Sequence, residues 1–241
     1  MAGVALLLVA WSTLPSPDGV IPSLSDVIAR GWEMALEGRL WFDLSASLWR
    51  ILVGATIGIF CSVAVGILCI VPIVRASLAG LIELTRPIPP IAWIPLMLVL
   101  FGVGDSAAIA IVAFAVFFPV IVSIILALDS IDQDLVLVSR SLGADWRFRI
   151  QHVYLPSMTP TLVAGIRLGI GIGWFSVVAA EMVGSYGGLG YGIQIASLNL
   201  EMERFFVYLT AIGVCGLIMN AGMLWIGERL TPWRKGNGHV E

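Results

Sequence analysis

Three stretches without a single Asp, Glu, Lys, Arg or His constrain this chain more than any other feature. They are Ile51–Val74, Ser106–Leu128 and Phe205–Gly227, each 23 or 24 residues long. At about 1.5 Å rise per residue, 23 helical residues reach roughly 34 Å, enough to cross a hydrocarbon layer of about 30 Å. In lipid a backbone must satisfy its own polar groups, so only helices and closed barrels are open to it. A barrel strand would alternate apolar and polar residues over a short stretch, whereas these runs are continuous. Composition agrees: of 241 residues 59% are apolar and 12% charged, with a mean hydropathy of +0.99. Soluble domains hold about 45–50% apolar and roughly 25% charged residues. A water-soluble globule and a disordered chain are excluded. Cys61, Cys69 and Cys215 are too few for a disulfide scaffold and read as small buried hydrophobes. The expectation is an all-α polytopic membrane protein.

Weaker runs complete the count. Pro87–Gly104 offers 18 residues, and Thr161–Val183 is apolar except for Arg167 and Glu181. Met1–Leu14 is apolar but short, and it lacks the basic start and small-residue cleavage site of a signal peptide. The reading is about six transmembrane helices, Met1–Leu14 being the first. Starting inside, the inner segments collect Arg75, Arg86, Arg140, Arg147, Arg149, Arg229, Arg234 and Lys235. The outer ones collect Arg30, Arg39, Arg50 and Arg204. That asymmetry predicts cytoplasmic termini and a cytoplasmic 129–160 loop.

The chain divides into residues 1–50, with the short first span and outer amphipathic helices, a core 51–235, and a tail 236–241. In the outer segment Ser23 and Asp26 are spaced as a capping box. Leu24, Val27, Ile28, Trp32, Ala35 and Leu36 follow at helical spacing, and Leu40, Trp41, Leu44, Leu48 and Trp49 repeat the pattern in a second helix. Pro87, Pro89, Pro90 and Pro95 crowd the start of one membrane run. This is either a broken helix lining a path or a packing kink. Gly165, Gly169 and Gly173 recur every four residues and predict close helix packing, with a weaker series at Gly213, Gly216 and Ala221. Arg167 and Glu181 are the ionisable groups well inside a span, about 21 Å apart along one helix, so each must face protein or water. Glu181 stands just before Gly184-Ser185-Tyr186-Gly187-Gly188-Leu189-Gly190 and reads equally as an anchor for that loop or as a pore group.

Catalytic chemistry is missing from the pattern. There is no phosphate-binding loop, no helical His–Glu metal pair and no paired carboxylate within a span; His152 and His239 fall in a loop and in the tail. No enzyme, bound cofactor, metal or nucleic-acid partner is expected. The informative segment is Asp129–Pro160. Leu135, Val138 and Leu142 mark one helical face that ends at Gly143, and Asp145 is placed to cap a second short helix through Trp146, Ile150 and Val153 that stops at Leu155-Pro156. A helix–glycine–helix elbow with basic flanks is shaped to dock on a partner or to lie on the inner leaflet.

Leu137-Val138-Ser139-Arg140-Ser141-Leu142-Gly143, nine residues, then Val153-Tyr154-Leu155-Pro156 resembles the cytoplasmic EAA loop of permease subunits in binding-protein-dependent ABC importers. Gly143, Leu155 and Pro156 fit the family pattern, Val153 replaces Ile, and Leu137 and Val138 stand where the family has Glu and Ala. Ile82–Leu96, Phe101–Asp105, Gly165–Leu168, Ala179–Met182 and Gly188–Gly190 resemble permeases for taurine, aliphatic sulfonates and nitrate. The tail Arg229-Leu230-Thr231-Pro232-Trp233 is most similar to taurine permeases.

The resemblance implies a type I ABC importer permease fold in a bacterial cytoplasmic membrane, moving a small anionic solute inward, a sulfonate such as taurine first, nitrate or an aromatic acid otherwise. It implies an ATPase dimer that binds the ATP and Mg, a periplasmic or lipid-anchored binding protein, membrane lipid, and a second copy of this chain as partners. It places coupling to the ATPase on Leu137, Val138, Ser139, Arg140, Leu142, Gly143, Ala144, Asp145, Trp146 and Arg147. A translocation path would pass Arg86, Pro89, Pro90, Trp93, Arg167, Trp174 and Glu181. A secondary transporter, the rival class, should show internal repeats and midplane ion-coupling groups, and neither is found.

Overall fold

The computed structural model describes residues 21–85 and 87–232, all helical or loop, with no strand among them. Helix α1 (Leu24–Leu36) is followed by α2 (Arg39–Leu68), α3 (Pro72–Thr85), a 3-10 turn (Pro90–Trp93), α4 (Ile94–Phe101) and α5 (Asp105–Asp129). Then come α6 (Gln133–Ser141), the short α7 (Trp146–Arg149), a π turn (Ile150–Tyr154), α8 (Leu155–Gly184), α9 (Leu189–Leu198) and α10 (Met202–Leu230). Four helical segments among the described residues are long and apolar enough to cross a membrane: Arg39–Leu68, Asp105–Asp129, Trp146–Gly184 and Met202–Leu230. A fifth is the bent pair Ile73–Thr85 and Pro90–Phe101, whose halves meet at 87°. The expected first span, Met1–Leu14, lies outside the described residues.

Four local expectations are corrected. The second outer stretch, Leu40–Trp49, is no separate helix: α2 runs unbroken from Arg39 to Leu68, because no Gly or Pro falls between Trp49 and Ile51 to stop it. Pro87–Gly104 is not one straight span, since the prolines leave only a 3-10 turn and eight α-helical residues. The short helix after Asp145 does not stop at Leu155-Pro156. A π turn widens the backbone ahead of Pro156, accommodates its ring, and carries the helix into α8. In α1 the capping box forms as expected, yet the packed residues are Val27 and Met34, with Gly31 against Val207, while Ile28, Trp32 and Leu36 are exposed.

The core is organised around α5, which packs on α2 and α8 and is buried along most of its length. Ile51, Val112, Val116, Val120, Ile121 and Val177 form its centre. Glycines let the backbones close in. A Cβ on Gly54 would sit 2.6 Å from Val112, one on Gly66 would sit 2.7 Å from Ile124, and one on Gly165 would collide with Ser123. Gly169 and Gly173 press on Val116 in the same seam. In α10 the pattern fails in part: Gly216 meets Trp174, whereas Gly213 faces open space.

Candidate functional site

At the end of the bundle away from the 129–160 elbow the fold buries a polar cluster. Asp43, Ser47 and Arg50 lie at i, i+4 and i+7 on one face of α2. Glu181, fully buried near the end of α8, accepts from Arg50 Nη1 at 2.6 Å, from Ser47 Oγ at 2.8 Å and from the Gly190 amide at 2.9 Å. The same guanidinium donates to Gly187 O at 2.6 Å, and through Nε and Nη2 to Asp105 at 2.9 and 2.7 Å. Asp43 accepts from the Gly188 amide at 3.0 Å, from Tyr208 Oη at 2.6 Å and from Arg39 Nε at 3.1 Å.

The cluster therefore ties α2, α5, α8, α9 and α10 together through the Gly187-Gly188-Leu189-Gly190 loop. Gly188 has φ +113°, and a Cβ there would press on Glu181 and Arg50. At the N-terminus of α9, where orphan N–H groups favour an anion, Gly190 N donates to the Glu181 carboxylate and Leu189 N to Ser47 Oγ. A buried charge survives when paired and hydrogen-bonded, and Glu181 has both. Glu181 is thereby bonded to the loop it precedes, to α2 and to α9.

At the other end, the elbow is built as its residues foretell. Gly143 ends α6 at φ +75°, with Gly143 N donating to Arg140 O and Ala144 N to Ser139 O, the bond pair of a Schellman motif. Asp145 caps the next helix by accepting from Phe148 N at 2.8 Å. Ser139 is buried and donates to Val136 O, which leaves Leu137, Val138, Arg140, Leu142, Trp146 and Arg147 on the exposed side. Leu142 is 81% exposed and Trp146 63%. The face marked by Leu135, Val138 and Leu142 is exposed and unpartnered among the described residues. His152 is stacked on Phe148 and bonded to its carbonyl. No group that could hold a metal ion is found among the described residues.

The expected path residues fall in three places. Arg86 lies outside the described residues. Pro89 and Pro90 form the break before α4, and Trp93 packs its ring 5.0 Å from Phe114 with its indole nitrogen buried and unpartnered among the described residues. Arg167 donates through Nε to Asn220 Oδ1 at 3.0 Å across α8 and α10, and Trp174 lies beside them along a shared pocket of about 50 Å³. Glu181 is about 21 Å further along α8. Sequence reasoning missed Asp43, Ser47, Arg50, Asp105 and Tyr208 as a unit. The one signal was the i, i+4, i+7 spacing of the first three at the outer end of an apolar run.

These helices and the broken pair define a multi-pass, all-helical membrane architecture. Residues 54–234 match the family described as binding-protein-dependent transport system inner membrane component, and the chain belongs to that family. It is 33% identical over 242 residues to the taurine transport system permease protein TauC of Escherichia coli K12, covering 95% of this chain and 87% of that one. It is 32% identical to the putative aliphatic sulfonates transport permease protein SsuC of the same strain, over 91% of this chain and 81% of the relative. A solved chain of the MetNI methionine ABC transporter, in an inward-facing conformation, superposes with a TM-score of 0.66 at 22% identity, over 81% of this chain and 96% of that one. At that identity the likeness speaks for the fold: this is the type I ABC importer permease architecture.

Proposed function

We propose that this chain is the permease subunit of an importer for a small sulfonate, taurine being the first candidate, driven by a separate ATPase that docks on the 129–160 elbow. The observation that carries the coupling reading is the apolar face of Leu135, Val138 and Leu142, set by the Gly143 and Asp145 caps yet uncovered among the described residues. An apolar face of this kind, rimmed by Arg140 and Arg147, suits a hydrophobic cleft on a soluble partner. The sulfonate reading rests on the taurine and sulfonate permeases among the relatives. With one elbow per chain and two clefts in an ATPase dimer, a two-fold pair of this chain is the simplest closed assembly. Termini and elbow then share the cytoplasmic side, as the basic residues suggest, and a binding protein delivers solute from outside.

The test is uptake of radiolabelled taurine by cells or proteoliposomes, with the ATPase tracked by copurification. Leu142→Asp and Gly143→Trp should abolish both uptake and copurification while the permease remains inserted in normal amount, because a carboxylate or an oversized ring in a docked interface costs several kcal/mol, on the order of 3. Normal copurification by both variants would overturn the coupling reading. Absence of taurine uptake by the unaltered complex would overturn the substrate reading.

A further inference from the structure

Arg167 stands 12 residues into α8 and 14 before Glu181, deep in a span, yet its side chain is not buried in the bundle. Its Nε is engaged by Asn220 Oδ1 at 3.0 Å, while its two terminal nitrogens make no hydrogen bond among the described residues. A guanidinium at this depth facing hydrocarbon is strongly disfavoured, so this side of α8 and α10 must face water or protein.

The surroundings select for one sign of charge. Arg167 and Asn220 open onto a groove of about 590 Å³ whose other lining includes Leu168, Gly171 and Phe175, with no carboxylate. Behind it, the 50 Å³ pocket brings in Trp174. On these two linings the side-chain donors are the two terminal Arg167 nitrogens, the Asn220 amide NH2 and the Trp174 indole N–H, and the side-chain acceptor is Asn220 Oδ1, which already takes one bond from Arg167. Arg167 also lines the adjoining groove of about 280 Å³, where Glu228 places a carboxylate about 12 Å along α10 from Asn220. A planar fork of donors on an apolar wall matches the oxygens of a singly charged oxyanion.

Building on the import reading above, we propose that Arg167, Asn220 and Trp174 form a subsite within the membrane for the oxyanion head of the transported solute, a sulfonate or a group of like shape and charge. A passing solute needs a site weak enough to leave, and a solvated groove with few donors meets that need.

The test uses a small sulfonate as its probe. Gly171 lies one turn from Arg167 on the same side, and a Cβ there meets open space. In a chain with Cys61, Cys69 and Cys215 replaced, Gly171→Cys is reacted in the purified complex in lipid nanodiscs with 2-sulfonatoethyl and with 2-(trimethylammonio)ethyl methanethiosulfonate. Tyr186→Cys, in the exposed outer loop, supplies the reference ratio. The sulfonate-to-ammonium rate ratio at 171 should exceed that reference by about tenfold, as a fixed cation one turn away dictates. It should fall to the reference in Arg167→Gln and persist in Arg167→Lys. A cysteine at 171 inert to both reagents, or a ratio indifferent to Arg167→Gln, would overturn the subsite. Taurine uptake by the unaltered complex is read separately: uptake with a flat ratio sinks the subsite alone, and an Arg167-dependent ratio without uptake sinks the taurine reading alone.

Discussion

In the polar cluster Arg50 is 5% exposed and Glu181 fully buried, each hydrogen-bonded from several elements; at the elbow Leu142 is 81% exposed. One region buries charge and the other exposes hydrocarbon, the reverse of the ordinary rule in both cases. The polar cluster is closed at its centre, where the Asp43 and Glu181 carboxylates, the Ser47 hydroxyl and the loop amides answer one another, and open at its rim, where Arg39 and Asp105 reach solvent. The elbow is closed only locally, through its caps, and its side chains are left unanswered. A region satisfied internally holds helices together, whereas the elbow leaves its apolar face exposed among the described residues, which is what the coupling proposal builds on.

Substitutions can break this contrast, and thermal unfolding of the purified permease ranks them. Arg50→Leu should have the largest effect, about 3–5 kcal/mol, because Glu181 is left buried without its cation. A Tm unchanged within error would deny that the cluster is a clamp. Glu181→Gln keeps the shape and loses the charge. It should lower the Tm by less than Arg50→Leu and leave the surviving molecules competent in uptake; lost uptake at unchanged Tm would return Glu181 to the path. Asp105→Asn should cost only about 0–1 kcal/mol, since Asp105 is largely solvent-exposed and its pairing with Arg50 is screened. Leu142→Asp should leave the Tm of the isolated permease unmoved, its side chain being in water already, and yet abolish uptake.

Much of this was legible in the sequence, for a physical reason. Lipid demands uninterrupted apolar length, so Ser106–Leu128 and Phe205–Gly227 could be placed from composition alone. The elbow was legible because Gly143 and Asp145 act on their immediate neighbours, and capping is local chemistry. Boundaries failed where a long-range partner overrode local cues. Arg50 looked like the charge that ends an outer segment, and only Glu181, 131 residues away, explains why it sits inside α2. The helical spacing of Val27, Ile28, Trp32 and Leu36 marked an amphipathic helix but not which of its residues pack, and it is Gly31 that stands against Val207 of α10. Pro156 looked like a stop because a π turn, which preserves the helix around it, has no sequence signature of its own.

The glycine seam that joins α2, α5 and α8 has a mechanical consequence. Where Gly54, Gly165 and Gly169 bring backbone against neighbouring side chains and carbonyls, no soft layer remains to take up a strain. Three rods without slack behave as one lever. A push of a few ångströms delivered through the elbow, which runs into α8 by way of the π turn, cannot be dissipated between them. It must emerge as a tilt of the whole unit, with the far end travelling in the opposite sense. Compliance is then left to the bent proline segment and to the joints at Gly38 and Cys69, where the chain changes direction without any such seam.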